Sequence, residues 1–304
     1  MIEQRTIKTL TKAKGISLHS GVCTDIIFRP AAPNTGIVFR RVDLEEPADV
    51  PAIATNVQDT TLNTTIVHDG VGVSTVEHLM SALSALGIDN LYIDINSAEV
   101  PIMDGSAAPF VFLLQSAGVE LQGVPKKFIR IKKSVCVKDG DRWAKFDPFE
   151  GFRIAFTIDF DHPLFQSQSQ HAVLDFSSTS FVKEVSRART FGFLSEFEYL
   201  RERGLAKGAS LDNAIAVGDY RILNKDGLRY ADEFVKHKIL DAVGDLYLLG
   251  SNVIGSYEGF KSGHAMNNIL ARELLNSPDS WEYVTYNDDE KTVPKSYAGL
   301  VTAF

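Results

Sequence analysis

The segment EFVKHKILDAVGD carries His237, Asp241 and Asp245 at i, i+4 and i+8. In a helix that spacing places one imidazole and two carboxylates on a single face. An imidazole beside a carboxylate is a donor set that suits a divalent cation. Phe234, Val235, Ile239, Leu240, Val243 and Leu246 surround the stripe with apolar surface, so it reads as facing inward. A polar pair satisfied within a core has the same spacing, and the segment by itself leaves both readings open.

Three further segments have the right residue types. In STVEHL an acid, Glu77, adjoins His78; a hydrolytic metal site needs an imidazole ligand and an unligated carboxylate beside the attacking water, and such a pair supplies one of each. The same residues also fit a helix start, with Ser74 as N-cap and Glu77 closing a capping box. In KSGHAMNN, His264 follows a glycine at the mouth of a helix, where a structural histidine is the plain alternative. The run SRARTFGF, Ser186 to Phe193, offers hydroxyl and cationic groups to an oxyanion or a phosphate, or it is a surface turn.

The elements that must position these residues alternate between strand and helix periodicity. Strands are expected at Cys23 to Arg29, Gly36 to Val42 and Asn63 to Val67, then a helix at Thr75 to Leu86, a strand at Asn90 to Ile95 and a helix at Ala108 to Ala117. After Gly123-Val124-Pro125 the basic stretch from Lys126 to Lys133 restarts strand periodicity, and Asp139-Gly140 marks a hairpin turn. A boundary there gives an N-terminal unit, 1–125, and a C-terminal unit, 126–304. The second half continues with a strand at Phe152 to Phe160, helices at Ser178 to Arg187 and Leu194 to Arg203, and a strand at Asn213 to Val217. A long helix at Ala231 to Leu249 closed by Gly250, a strand at Val253 to Phe260 and a helix after Gly263 complete it. The halves echo one another: His78 sits in a helix ending at Gly87 that leads through Asn90 into a strand, and His237 in a helix ending at Gly250 that leads through Asn252 into a strand. Two related α+β halves would bring one histidine from each to their seam, where ligand sites tend to lie.

Bulk properties exclude several classes. With 304 residues, 44% apolar and 23% charged, the chain is long and apolar enough for real cores. A formal net charge of -8 argues against a nucleic-acid binder, which needs clustered cations. No apolar run has the length of a transmembrane span and the opening residues lack a signal-peptide core, so a cytoplasmic location is expected. Two cysteines, Cys23 and Cys136, are too few for a disulfide framework and are expected to be packing residues.

Taken together the motifs Ser74 to Leu79, Pro101-Ile102-Met103-Asp104-Gly105-Ser106, Arg187 to Gly192, His237 to Asp241 and Lys261 to His264 resemble one family. It is the UDP-3-O-acyl-N-acetylglucosamine deacetylases of lipid A synthesis, and the likeness runs from Gly15-Ile16-Ser17-Leu18-His19-Ser20-Gly21 to Trp281-Glu282-Tyr283-Val284-Thr285. The resemblance implies an α+β fold of two similarly built domains, each a small sheet layered on two helices, with the active site between them. It implies Zn²⁺, with Fe²⁺ also tolerated, held by His78, His237 and Asp241. Glu77 would be the general base, His264 the general acid or electrostatic partner, Asp245 the group orienting His264, and Thr190 a hydrogen-bond donor to the oxyanion. Lys238, Lys261, Asp159, Phe160 and His19 would meet the nucleotide and sugar, with Phe191 beside them. An insert near 193–217, including Leu194, Phe197, Leu200, Leu205, Ala206, Ser210, Ala214 and Ala216, would take the fatty-acyl chain of the UDP-linked glucosamine substrate. A monomer is expected. Two positions depart from the pattern: Asn63 stands where many members carry Cys, and Arg142 where a Lys often helps bind phosphate. The competing classes are a metal-dependent hydrolase of another acylated sugar or peptide, and a carbohydrate-binding protein without activity.

Overall fold

The computed structural model describes residues 1–286 and 293–300. The α-helices of these residues are α1 (Glu77–Leu86), α2 (Ala108–Ala117), α3 (Ser178–Glu184), α4 (Leu194–Glu202), α5 (Glu233–Tyr247) and α6 (His264–Leu275).

In the first half five strands form a sheet in the order Thr11–Ile16, Cys23–Pro30, Leu91–Ile95, Ile37–Arg41, Ala48–Pro51. All neighbours are antiparallel except Ile37–Arg41 and Leu91–Ile95, which run parallel. Parallel neighbours require a long crossover, and this one carries α1. The second half repeats the plan. Val135–Asp139 and Arg142–Asp147 form a hairpin whose inner strand pairs with Asn252–Phe260; Phe152–Thr157 lies parallel beside that strand, and His171–Asp175 closes the edge. The parallel pair Phe152–Thr157 and Asn252–Phe260 is joined by a crossover that carries α5, and Phe128–Ile131 lies parallel to Asn252–Phe260 as well. After each crossover strand come a further helix, α2 or α6, and a strand, Val119–Pro125 or Trp281–Val284, which pairs antiparallel with the first strand of its own half, Glu3–Ile7 or Phe128–Ile131. The expected α+β architecture of two similarly built units is the one observed.

The two crossover helices pack on each other. Every residue of α1 is buried, which its run of Leu, Met, Ala and Ser permits because no long charged side chain follows His78. The approach is close enough that a Cβ on Gly244 of α5 would lie 1.9 Å from the Glu77 carbonyl oxygen. Gly87 ends α1 in the left-handed conformation at φ 65°, a turn that glycine makes without steric cost. At the junction of the halves Lys126 is fully buried, its ammonium bonded to Asp89 and to the Gly87 carbonyl at 3.3 Å.

Several local expectations need correction. The capping box at Ser74 is not formed: α1 begins at Glu77, Ser74 Oγ donates to the Ala98 carbonyl, and Thr75 sits at φ 59°. Both cysteines are exposed rather than packed; Cys136 lies on an edge strand, on the opposite side from buried Val135. Strands such as Thr11–Ile16 and His171–Asp175 go beyond the sequence expectation: TKAKGI alternates lysine with only Ala and Gly, and HAVLD runs three apolar residues together, so neither shows period-2 contrast. Helix α3 stops at Glu184 and not Arg187, and α5 spans Glu233–Tyr247 and not Ala231 to Leu249.

Candidate metal centre

His237 and Asp241 lie one turn apart on the buried face of α5, and His78 enters from the first turn of α1. Asp241 Oδ1 is 3.4 Å from Nε2 of His78 and 3.4 Å from Nε2 of His237. One donor atom from each of the three lies within 4.8 Å of the other two, and all three residues are buried. Among the described residues no other such group occurs.

The donor set fits a divalent cation. Asp241 Oδ1 is buried without a hydrogen-bond partner, an expensive arrangement for a carboxylate unless a cation completes it. A spacing of 3.4 Å is the edge of a tetrahedron with centre-to-corner bonds of about 2.1 Å, the length of zinc bonds to imidazole and carboxylate. His237 Nδ1 lies 3.0 Å from the Ala188 carbonyl. A carbonyl only accepts, so Nδ1 carries the proton and Nε2 is left with a free lone pair. Burial lowers His237 to about 3, so its ring is neutral at physiological pH, as a ligand must be. Asp241 Oδ2 accepts from Lys238 Nζ at 2.8 Å. Burial works against the Asp241 carboxylate, but His237 and Lys238 hold it well below its ordinary range.

Around this centre lies a connected set of acids and bases. Glu77 Oε2 accepts from the Thr64 backbone N–H at 3.0 Å, and the Thr64 hydroxyl donates to Asp245 Oδ1 at 2.6 Å. Asp245 Oδ2 faces His264 Nδ1 at 2.9 Å and accepts from Asn267 Nδ2 at 2.8 Å. Burial raises Glu77, countered in part by His264 and His78. For His264 burial acts downward, but the charge and hydrogen bond of Asp245, with Glu77 behind them, lift it to about 9. A buried carboxyl, Glu77, and a charged imidazole, His264, thus sit at the two ends of one hydrogen-bonded chain through Thr64 and Asp245.

Glu77, His78, Thr190, Phe191, His237, Lys238, Asp241, Lys261 and His264 all line a cavity of about 330 Å³. Asp245 lies behind His264. Thr190 is fixed by its N–H to the Gly105 carbonyl at 2.8 Å, in the motif Pro101 to Ser106. Lys261 Nζ bonds Asp141 and Asp159, each at 2.7 Å. Phe160 belongs to an aromatic cluster with Phe165, Phe191 and Phe193. His19 is buried beside the cavity lining at Leu18, its backbone N–H held by Glu99 at 2.7 Å. Arg142 lines the cavity, and Asn63 is buried nearby in sequence with its side chain on Thr65. His19, Asp159, Phe160, Leu194, Phe197, Ala206 and Ser210 are not part of the cavity wall; α4 buries none of its residues, and Leu194 is 52% exposed.

Sequence reasoning missed Thr64, Asn267 and the Ala188 carbonyl. Asn267 had a weak signal, standing one turn after His264; the other two act through backbone groups or contacts distant in sequence. Leu62, Thr75 and Lys261 also line the cavity with φ values of 62°, 59° and 47°. Non-glycine residues at positive φ cluster at functional sites.

These features define a class of site: a group of two imidazoles and a carboxylate that could hold a divalent cation, with a buried carboxyl and a charged imidazole on the same cavity. The model of the family "UDP-3-O-acyl N-acetylglycosamine deacetylase" matches residues 4–276. Similar proteins named UDP-3-O-acyl-N-acetylglucosamine deacetylase occur in Thioalkalivibrio sulfidiphilus, 60% identical over 304 residues and the full length of both chains, and in Saccharophagus degradans, 62% identical over 297 residues and 98% of each. One from Teredinibacter turnerae is 61% identical over 297 residues, again 98% of each chain. The chain belongs to the UDP-3-O-acyl-N-acetylglucosamine deacetylase family.

Proposed function

We propose that this chain hydrolyses the acetamide of UDP-3-O-acyl-N-acetylglucosamine to acetate and UDP-3-O-acyl-glucosamine, with one divalent cation, Zn²⁺ or Fe²⁺, held by His78, His237 and Asp241. The observation that carries this is the buried, unpartnered Asp241 Oδ1 facing two imidazole nitrogens at 3.4 Å. When bound, the cation lowers the pKa of a water toward about 7 and polarises the carbonyl.

The protein's own groups then divide the work. Glu77 takes a proton from the water as its oxygen adds to the acetamide carbon. Thr190 donates to the developing oxyanion, and the positive charge of His264 stabilises it. As the C–N bond breaks, His264 gives its proton to the leaving amine. Asp245 holds His264 charged and oriented.

Lys238 and Lys261 supply cations for the diphosphate, and Phe160 and Phe191 offer faces to the uracil and sugar, with His19 and Asp159 at the margin. Leu194 and Phe197 of α4, with Ala206 and Ser210 in the segment after it, are assigned to the acyl chain. The exposure of Leu194 supports this, since α4 carries apolar side chains yet buries none of its residues and so lacks the contact that stabilises most helices. The two structural units are taken as 1–125 and 126–304.

The test is acetate release from UDP-3-O-acyl-N-acetylglucosamine with and without chelator, and with the UDP-free sugar. Loss of activity on chelation and restoration by Zn²⁺ are expected, with strong preference for the UDP-linked substrate. Activity that survives complete metal removal refutes the mechanism, and equal activity on the UDP-free sugar refutes the substrate.

A further inference from the structure

One buried ion pair next to the metal centre takes no part in the chemistry above. Glu233, the first residue of α5, is wholly buried, and its carboxylate receives donors from two loops. Arg189 gives it three bonds: the backbone N–H at 3.0 Å, Nε at 2.8 Å and a terminal guanidinium nitrogen at 3.1 Å. The Arg229 backbone N–H gives a fourth. Arg189 also donates to the Gly227 carbonyl at 2.8 Å.

What this clamp holds is a segment without regular structure, residues 187–190. Its Ala188 carbonyl accepts from His237 Nδ1, and its next residue but one, Thr190, lines the cavity. Glu233 stands one helical turn before His237, so clamp and ligand share one rigid frame. On its other side the segment is tied to the first half, through Thr190 N–H to the Gly105 carbonyl and through Arg229, which bridges Asp104 at 2.8 Å and the Arg187 carbonyl at 3.0 Å.

From this geometry we infer that Arg189 and Glu233 are positioning residues of the metal centre: they hold the Ala188 carbonyl where it fixes His237 as the Nδ1–H tautomer and aims Nε2 at the cation, and they hold Thr190 in the same act. The inference rests on the proposed metal site. An ion pair kept only for stability is replaceable by apolar residues of similar volume at little cost, whereas a clamp of specific geometry is not. A hydrogen-bond partner behind a metal-bound histidine typically accounts for about 10- to 100-fold in metal affinity or activity.

The experiment compares the parent with Glu233→Gln and with the paired variant Arg189→Met/Glu233→Leu. Three quantities are measured: the thermal midpoint of the metal-free protein, the Zn²⁺ affinity by chelator competition, and the tautomer of His237 from ring ¹⁵N shifts in metal-free protein. The paired variant, which leaves the Arg189 and Arg229 backbone N–H groups without their acceptor, is expected to stay folded with a lowered metal-free midpoint while binding Zn²⁺ about 10- to 100-fold more weakly and showing a mixed His237 tautomer. Glu233→Gln is expected to shift affinity and tautomer in the same direction, and it decides the matter if the paired variant does not fold. Unchanged Zn²⁺ affinity with His237 still wholly Nδ1–H in either folded variant overturns the assignment. A parent that binds no divalent cation refutes the proposed function instead, and the tautomer measured without metal still decides the positioning role.

Discussion

At the scale of single residues, Asp245 governs the state of His264. Burial alone would lower the imidazole, and the facing carboxylate at 2.9 Å raises it to about 9. A raised value means the ring is charged at neutral pH and loses its proton as pH climbs through about 9, so activity that needs the acid falls on the alkaline side. In Asp245→Asn burial prevails, the ring titrates at lower pH, and the alkaline limb of the kcat/KM profile moves in the acid direction with reduced turnover at neutrality. An unmoved limb in pH–rate measurements would separate His264 from that ionisation. On the proposed mechanism Glu77→Gln removes the base but no ligand, so metal content measured on the purified variant is expected to match the parent's while kcat drops about 10²- to 10⁴-fold.

Among the elements, the contact of α1 with α5 sets the distance between Glu77 and His78 on one side and His237 and Asp241 on the other. Gly244 makes that contact possible, since a Cβ there would meet the Glu77 carbonyl oxygen at 1.9 Å. Gly244→Ala must push the helices apart, costing about 1–3 kcal/mol by overpacking. A shift of about 1 Å in the site can cost about 10²-fold in rate. Thermal denaturation and kcat should therefore both fall; a variant with the parent's kcat would show that the spacing is slack. The α5 stripe is legible in sequence because helical period is a local property, and so is the end of α1, because Gly87 supplies a left-handed turn. The start of α1 is not: Ser74 and Glu77 have capping-box spacing, yet Glu77 turns to the Thr64 N–H and Asp245 receives the Thr64 hydroxyl, partners that only the fold brings near.

For the whole molecule, the proposed cation would link binding to folding, because its candidate donors come from helices of both halves. Anything that binds only the folded state stabilises it, by about 4 kcal/mol at a thousandfold excess over Kd. Stripping the metal should lower the thermal midpoint and make it depend on added Zn²⁺, as calorimetry would register. At the junction of the halves, Lys126→Ala leaves the partly buried Asp89 with the Arg5 N–H but without its ammonium partner, and a loss of up to about 3 kcal/mol in urea denaturation is expected. The sequence on its own determined the alternation of helix and strand, the echo between halves, and the chemical types available at His78, His237, Asp241 and His264, since each depends on residue identity or short-range period. Tertiary structure alone decided that Asp241 Oδ1 would face imidazoles from both halves, that Thr64 would join Glu77 to Asp245, and that Cys23 and Cys136 would face solvent. Those outcomes depend on which surfaces meet across long sequence separations, and no local pattern encodes that meeting.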